Sequence, residues 1–178
     1  MPVSSRALAH RARQVRLLLF DVDGVMTDGT VSITANGDEA KTFSIRDGAA
    51  LVWAQRAGFE VAILSGRPSQ ATTRRAAELG IRRVLQGPPN KSQAYQDLLE
   101  DGGYTDRDVA YMGDDWLDLA ILERVGFAAA PADAAKEVRQ CVHWVSKFNG
   151  GRGAVRDLIE MMLKVHRRWN DVIRRPAG

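Results

Sequence analysis

The run Leu17-Leu18-Leu19-Phe20 does not alternate with polar residues, and similar runs recur along the chain. Short apolar, β-rich segments stand at 15–20, 59–64, 83–85, 109–112 and 127–130. Helical patterns lie between and after them, near 48–57, 69–79, 91–101, 116–124 and 133–140, with a last helix expected over 153–170. Unalternating apolar runs mark strands buried on both faces. Strands alternating with helices of this length predict an α/β fold, a Rossmann-like parallel sheet flanked by helices. At 178 residues the chain is expected to form a single domain over 1–178, and its 45% hydrophobic content suffices for a core.

One stretch breaks the rhythm. Residues 30–45 carry Asn36-Gly37 between two extended segments, the strongest short hairpin signal. A β-hairpin insertion is therefore expected over about 29–46, before the first helix, at the sheet end where Asp21 and Asp23 lie. Only 43 residues separate Asp21 from Ser65, too few for a large lid as well, so the fold is expected to be capless.

In open α/β sheets, ligands bind beyond the carboxyl ends of the strands. Those ends read Asp21-Val22-Asp23-Gly24, Ser65-Gly66-Arg67 and Gly113-Asp114-Asp115, with Asp118 a turn further on and Lys91 opening a helix. Carboxylates, one hydroxyl and one lysine on a single rim suit a hard cation held by oxygens together with a phosphoryl group. In extended chain, residues i and i+2 point to the same side. Asp21 and Asp23 can therefore face one substrate, one attacking phosphorus and the other handling the leaving-group proton. A magnesium ion and Lys91 would neutralise the meeting anions, Ser65 would donate a hydrogen bond, and the amides of Ser65-Gly66-Arg67 would cradle an anion. Each piece alone has a plainer reading: Ser65 as a helix cap, Lys91 as a surface lysine, Asp115 and Asp118 as acids at a helix start. The order of the set, each at a strand end, carries the argument.

FDVDGVMTDG (20–29), LSGR (64–67), Lys91 and GDDWLDL (113–119) resemble the four ordered motifs of the haloacid dehalogenase superfamily of phosphatases. SIRDG (44–48), QGPPNK (86–91), PADA (131–134) and GGRGAVRD (150–157) are similar to the 3-deoxy-D-manno-octulosonate 8-phosphate phosphatases, so the resemblance spans about 11–160. Sibling sugar-acid phosphatases share much of this pattern. The resemblance implies Asp21 as nucleophile and Asp23 as general acid and then base. It implies magnesium held by the Asp21 carboxylate, the Asp23 carbonyl and Asp114, with Asp115 and Asp118 as supporting acids. Ser65, Gly66 and Lys91 would contact the phosphoryl group. It further implies a capless homotetramer whose hairpins meet at the subunit interface, hydrolysing the phosphate of an eight-carbon sugar acid in lipopolysaccharide precursor synthesis. A nine-carbon acid 9-phosphate is the alternative substrate, and a non-catalytic oligomeric module the alternative class; none of the motif acids is missing here.

Arg46 and Arg67 are candidates for gripping a sugar-acid carboxylate, since Arg makes bidentate pairs. Arg152 and Arg156 are candidates for reaching a neighbouring subunit's site. Asp28 is expected to be a turn residue. Trp116 stands where the family leads one to expect a smaller aliphatic residue.

The charge pattern narrows the partners. The net charge is +3, yet residues 1–19 and 161–178 together carry +8, which leaves −5 on 20–160. An acidic body with basic ends does not suit a nucleic-acid groove. No apolar run approaches a membrane span, and the basic N-terminus lacks a signal-peptide core. With a single cysteine, Cys141, no disulfide can form within the chain, and a cytoplasmic protein is expected.

Overall fold

A computed structural model describes residues 5–174. The elements are α1 (Ser5–Ala12), β1 (Leu17–Phe20), β2 (Ser32–Ile33), β3 (Glu39–Ala40), α2 (Ile45–Arg56), β4 (Glu60–Ser65), α3 (Gln70–Glu78), β5 (Arg83–Gln86), α4 (Lys91–Gly102), β6 (Val109–Met112), α5 (Leu119–Leu122), β7 (Phe127–Ala130), α6 (Lys136–Cys141), β8 (Trp144–Val145), α7 (Ala154–Val165) and α8 (Trp169–Arg174). Six strands form one parallel sheet in the order β5-β4-β1-β6-β7-β8. The chain winds from β1 to β4 and β5, then returns to β6 on the other side of β1. That reversal opens a crevice at the carboxyl ends of β1, β4 and β6.

The apolar runs divide between two cores, as strands buried on both faces must. Leu18 and Phe20 join Val61, Ile63, Ala110 and Met112 beneath α2 and α7. Leu17 and Leu19 join Ala62, Leu64, Val109 and Tyr111 beneath α4, α5 and α6. All four residues of β1 have no exposed surface, and burying each such side chain contributes about 1.5–3 kcal/mol. No helix among the described residues is long and apolar enough to cross a membrane.

The hairpin is present and small: Ser32 pairs with Ala40 and Ile33 with Glu39. Its turn is not the two-residue kind that Asn-Gly most often forms, since Asn36 keeps a negative φ and only Gly37 is left-handed, at 84°. The Gly37 amide donates to Thr34 O, and the Thr34 amide to Asp38 O, which gives a three-residue loop closed by a glycine bulge.

Several elements depart from expectation. β8 is a sixth strand that two half-exposed residues could not announce by pattern. Residues 5–12 form a helix that the pattern did not assign. The stretch 116–124 holds a 3-10 turn over Trp116–Asp118 and only one turn of α-helix, because the Asp118 carboxylate folds back onto the Asp114 and Asp115 amides. The helix expected over 153–170 stops at Val165. The Arg168 amide donates to Leu163 O and the Arg167 amide to Lys164 O, a Schellman stop with Arg167 left-handed at φ 59°. Glycine usually marks this stop, and none stands here.

Asp47, buried in α2, accepts from the amides of Gly153 (3.1 Å) and Arg156 (2.8 Å) and so caps α7. Burial is the largest influence on its carboxyl and holds it above the ordinary 3.8, against the amides that favour the charge. The folded state thus retains the proton to higher pH than the unfolded state. The associated stability is full below the ordinary range and is lost as pH rises through the folded value. In urea titrations, the unfolding free energy of the wild type minus that of Asp47→Asn is expected to shrink as pH rises above the ordinary carboxylate range. A difference that grows with pH would refute this assignment.

Candidate active site

A cavity of about 310 Å³ opens at the crevice, and Asp21, Asp23, Ser65, Gly66, Arg67, Lys91, Asp114, Asp115, Leu117 and Asp118 are among its lining residues. Asp21 directly follows β1, and its amide extends the ladder to Met112 O at 3.0 Å. Ser65 ends β4 and is buried, with its hydroxyl 3.4 Å from the Arg67 amide. Lys91 begins α4, where Asn90 accepts from the Ser92 and Gln93 amides and fixes the helix start. Gly24 lies left-handed at φ 84°, and a Cβ there would stand 2.5 Å from Asp114 Cγ, so this turn lets the first loop close on the third.

Asp118 organises the floor. Its Oδ1 accepts from Lys91 Nζ and Tyr111 OH, both at 2.6 Å, and its Oδ2 from the amides of Asp114 (2.9 Å) and Asp115 (3.2 Å). Lys91 Nζ also stands 3.2 Å from Asp21 Oδ1, close enough to pair but not aligned as a hydrogen bond. Burial works against the Lys91 ammonium, yet Asp21 and Asp118 outweigh it and raise its pKa. Burial likewise lifts Asp21 to about 6, with Lys91 opposing and Asp118 adding. Asp114 rises to about 8 through burial and its three acidic neighbours, Asp21 first. One ammonium does not balance this cluster.

Two observations say what would. Asp21 Oδ1 and Asp114 Oδ1 are buried without a hydrogen bond. One oxygen each of Asp21, Asp114 and Asp118 also lies within 4.8 Å of the others. An oxygen-only donor set short of positive charge fits Mg²⁺. Asp118 already accepts four hydrogen bonds, which leaves Asp21 and Asp114 as the open ligands.

The other expected residues lie elsewhere. Arg46, Arg152 and Arg156 line a separate cavity of about 500 Å³ with Lys147 and Phe148, so within one chain they do not join Asp21. Asp28 accepts from the Thr30 amide and hydroxyl and pairs with Arg152 at 3.4 Å, a turn acid outside the Asp21 cavity. Trp116 is largely exposed and donates from its ring nitrogen to Glu137 at 3.1 Å. Sequence reading missed Tyr111, which passes for a core aromatic, and the hairpin pair Glu39 and Lys41. Their signal is weak: opposite charges two apart in an extended segment, and so on one side of it.

Comparison with known proteins points to one family. A model of the haloacid dehalogenase-like hydrolases matches residues 83–159. The 3-deoxy-D-manno-octulosonate 8-phosphate phosphatase of Escherichia coli K12 is 41% identical over 162 residues, covering 91% of this chain and 86% of the relative. The crystal structure of the Moraxella catarrhalis enzyme of that name, in complex with magnesium ion, phosphate ion and KDO, superposes with TM-score 0.93 at 32% identity, over 96% of this chain and 98% of the other. The Yersinia pestis enzyme superposes with TM-score 0.90 at 36% identity, over 92% and 89%. Motif order, site geometry and identity across nearly the whole length agree: the chain belongs to the haloacid dehalogenase-like hydrolases, in the family of the 3-deoxy-D-manno-octulosonate 8-phosphate phosphatases.

Proposed function

We propose that this protein hydrolyses 3-deoxy-D-manno-octulosonate 8-phosphate to the sugar acid and phosphate, with Asp21 as nucleophile. The observation that carries the reading is the buried Asp21 carboxylate, flanked by Lys91, Asp114 and Ser65 in one cavity. An Asp21 oxygen attacks phosphorus, the ester P–O bond breaks, and the leaving alkoxide takes a proton from Asp23. Water then attacks the aspartyl phosphate and gives a proton to Asp23, and the P–O bond to Asp21 breaks. Lys91 and the Ser65 hydroxyl, with the amides at Gly66 and Arg67, bind the phosphoryl oxygens. Mg²⁺ held by Asp21, the Asp23 carbonyl and Asp114 would neutralise charge on the phosphate. Asp118 positions Lys91, and Asp115 caps the turn that carries Asp118. Arg67, half-exposed at the mouth and paired with Glu39 at 2.8 Å, would meet the sugar-acid carboxylate.

The proposal extends to a cytoplasmic homotetramer. Ile33, Ile45, Trp116 and Leu117 are exposed on the hairpin, at the start of α2 and beside the cavity, which supports an interface there. In that assembly Arg46, Arg152 and Arg156 would serve a neighbour's site. The protein, with a mass by light scattering of four chains, is expected to release phosphate from the octulosonate ester when Mg²⁺ is present. Excess EDTA should cost about 10³-fold or more, restored by added Mg²⁺. Preference for a nine-carbon acid 9-phosphate would change the substrate and keep the chemistry. Release from no sugar-acid phosphate would overturn the reading.

A further inference from the structure

We propose that Lys41, on the hairpin, is a positioning residue that holds the Asp23 carboxylate in place for proton transfer; this rests on the reading of Asp23 as general acid. Lys41 Nζ donates to Asp23 Oδ1 at 2.6 Å, and its side chain has no exposed surface. It is therefore no solvated surface cation lying near an acid. Glu39, two residues earlier, stands 3.8 Å from the same ammonium. Glu39 is itself tied to the second loop of the site: its Oε1 accepts from Ser69 Oγ at 2.6 Å and its Oε2 from Arg67 at 2.8 Å. A line of alternating charge, Arg67, Glu39, Lys41, Asp23, thus runs from the loop after β4, through the hairpin, to the loop after β1.

Desolvating an ammonium carries a penalty that its ion pairs must offset, so such a pair is weak evidence for stability and stronger evidence for specified geometry. The geometry matters because a general acid must stay within hydrogen-bond reach of the oxygen it protonates. A misplacement of about 1 Å costs on the order of 10²-fold. Lys41 is the side-chain partner of Asp23 among the described residues, and it engages one oxygen. The other oxygen is left for the leaving group. The small hairpin thereby acts where a lid would, by fixing a reacting group from the flank.

The test exploits leaving groups. When Asp21 attacks a sugar phosphate, the ester P–O bond breaks and the departing alkoxide needs the Asp23 proton. When it attacks p-nitrophenyl phosphate, the phenolate departs with the bonding pair and needs none. Lys41→Met is expected to lower kcat/KM for the sugar-acid phosphate about 100-fold with KM within about threefold, and for the aryl ester less than about fivefold. Lys41→Arg, which keeps the charge, is expected to recover about tenfold of the loss, with melting temperature measured for both. Equal losses on the two esters, or none, would overturn the proposal. A wild type that cleaves other alkyl esters and no sugar-acid phosphate overturns the substrate reading alone, and the comparison is then read on that alkyl ester. A wild type inert on both overturns the two together.

Discussion

Asp21→Asn is expected to lower turnover of a phosphate monoester by at least about 10⁴-fold, as removal of a nucleophile from a concerted site does. The substitution keeps the shape and the ladder bond from the residue 21 amide to Met112 O, so the fold should survive. Asp21 titrates at about 6 in the folded protein, raised from 3.8 chiefly by burial. Its charged form therefore weakens the metal-free fold once pH rises through about 6. A neutral amide removes that burden. At pH 7.5 and without metal, the variant should melt at or above the wild-type temperature while being catalytically silent. Activity within tenfold of wild type would reassign the nucleophile, and a lower melting temperature would contradict the electrostatic account of the site.

Gly150→Ala is expected to damage both stability and activity, although residue 150 touches no substrate. A Cβ there would overlap the Gly24 carbonyl oxygen and stand 2.5 Å from its carbon and 2.9 Å from Thr27 O. These are backbone atoms, which no rotamer change can move. Gly151 presses the same loop, left-handed at φ 62°, and its amide donates to Val25 O at 2.9 Å. Overpacking of this kind costs about 3 kcal/mol, or roughly 6–12 °C in melting temperature for a chain of this size. The displaced loop carries Asp23 and bears on Asp114, so kcat should fall about 100-fold as well. Thermal melts and phosphate release on the same preparation check both. An unchanged melting temperature would mean that the 150–151 segment is free to move away from the loop.

The parts of the fold legible beforehand were those that composition alone dictates. Leu17 to Phe20 could only be a strand buried on both faces, and β4, β6 and β7 follow the same logic. The acids and Lys91 at the site were legible because strand ends in such a sheet are where chemistry concentrates, and the structure gathers them around one cavity. Illegible were features set by approach through space. Lys41 reaches Asp23 only because the hairpin folds back over the first loop. Tyr111 looks like core until its hydroxyl is found on Asp118. Arg167 gave no warning that the last helix would stop, because an arginine takes the left-handed position that glycine normally fills. Arg46, Arg152 and Arg156 could be named as candidates, but their grouping in a second cavity could not.

α7 deserves to be seen as a ruler. Its first turn is capped by Asp47 just after the glycines that press on the loop carrying Asp23. Just past its far end, the His166 ring meets Ala12 O of α1 at 2.9 Å. Twelve residues separate these ends, about 18 Å at helical rise. A fluorophore or a surface tether attached near residue 10 or 170 therefore sits one helix length from the chemistry. It can report on or immobilise the protein without obstructing the mouth of the site.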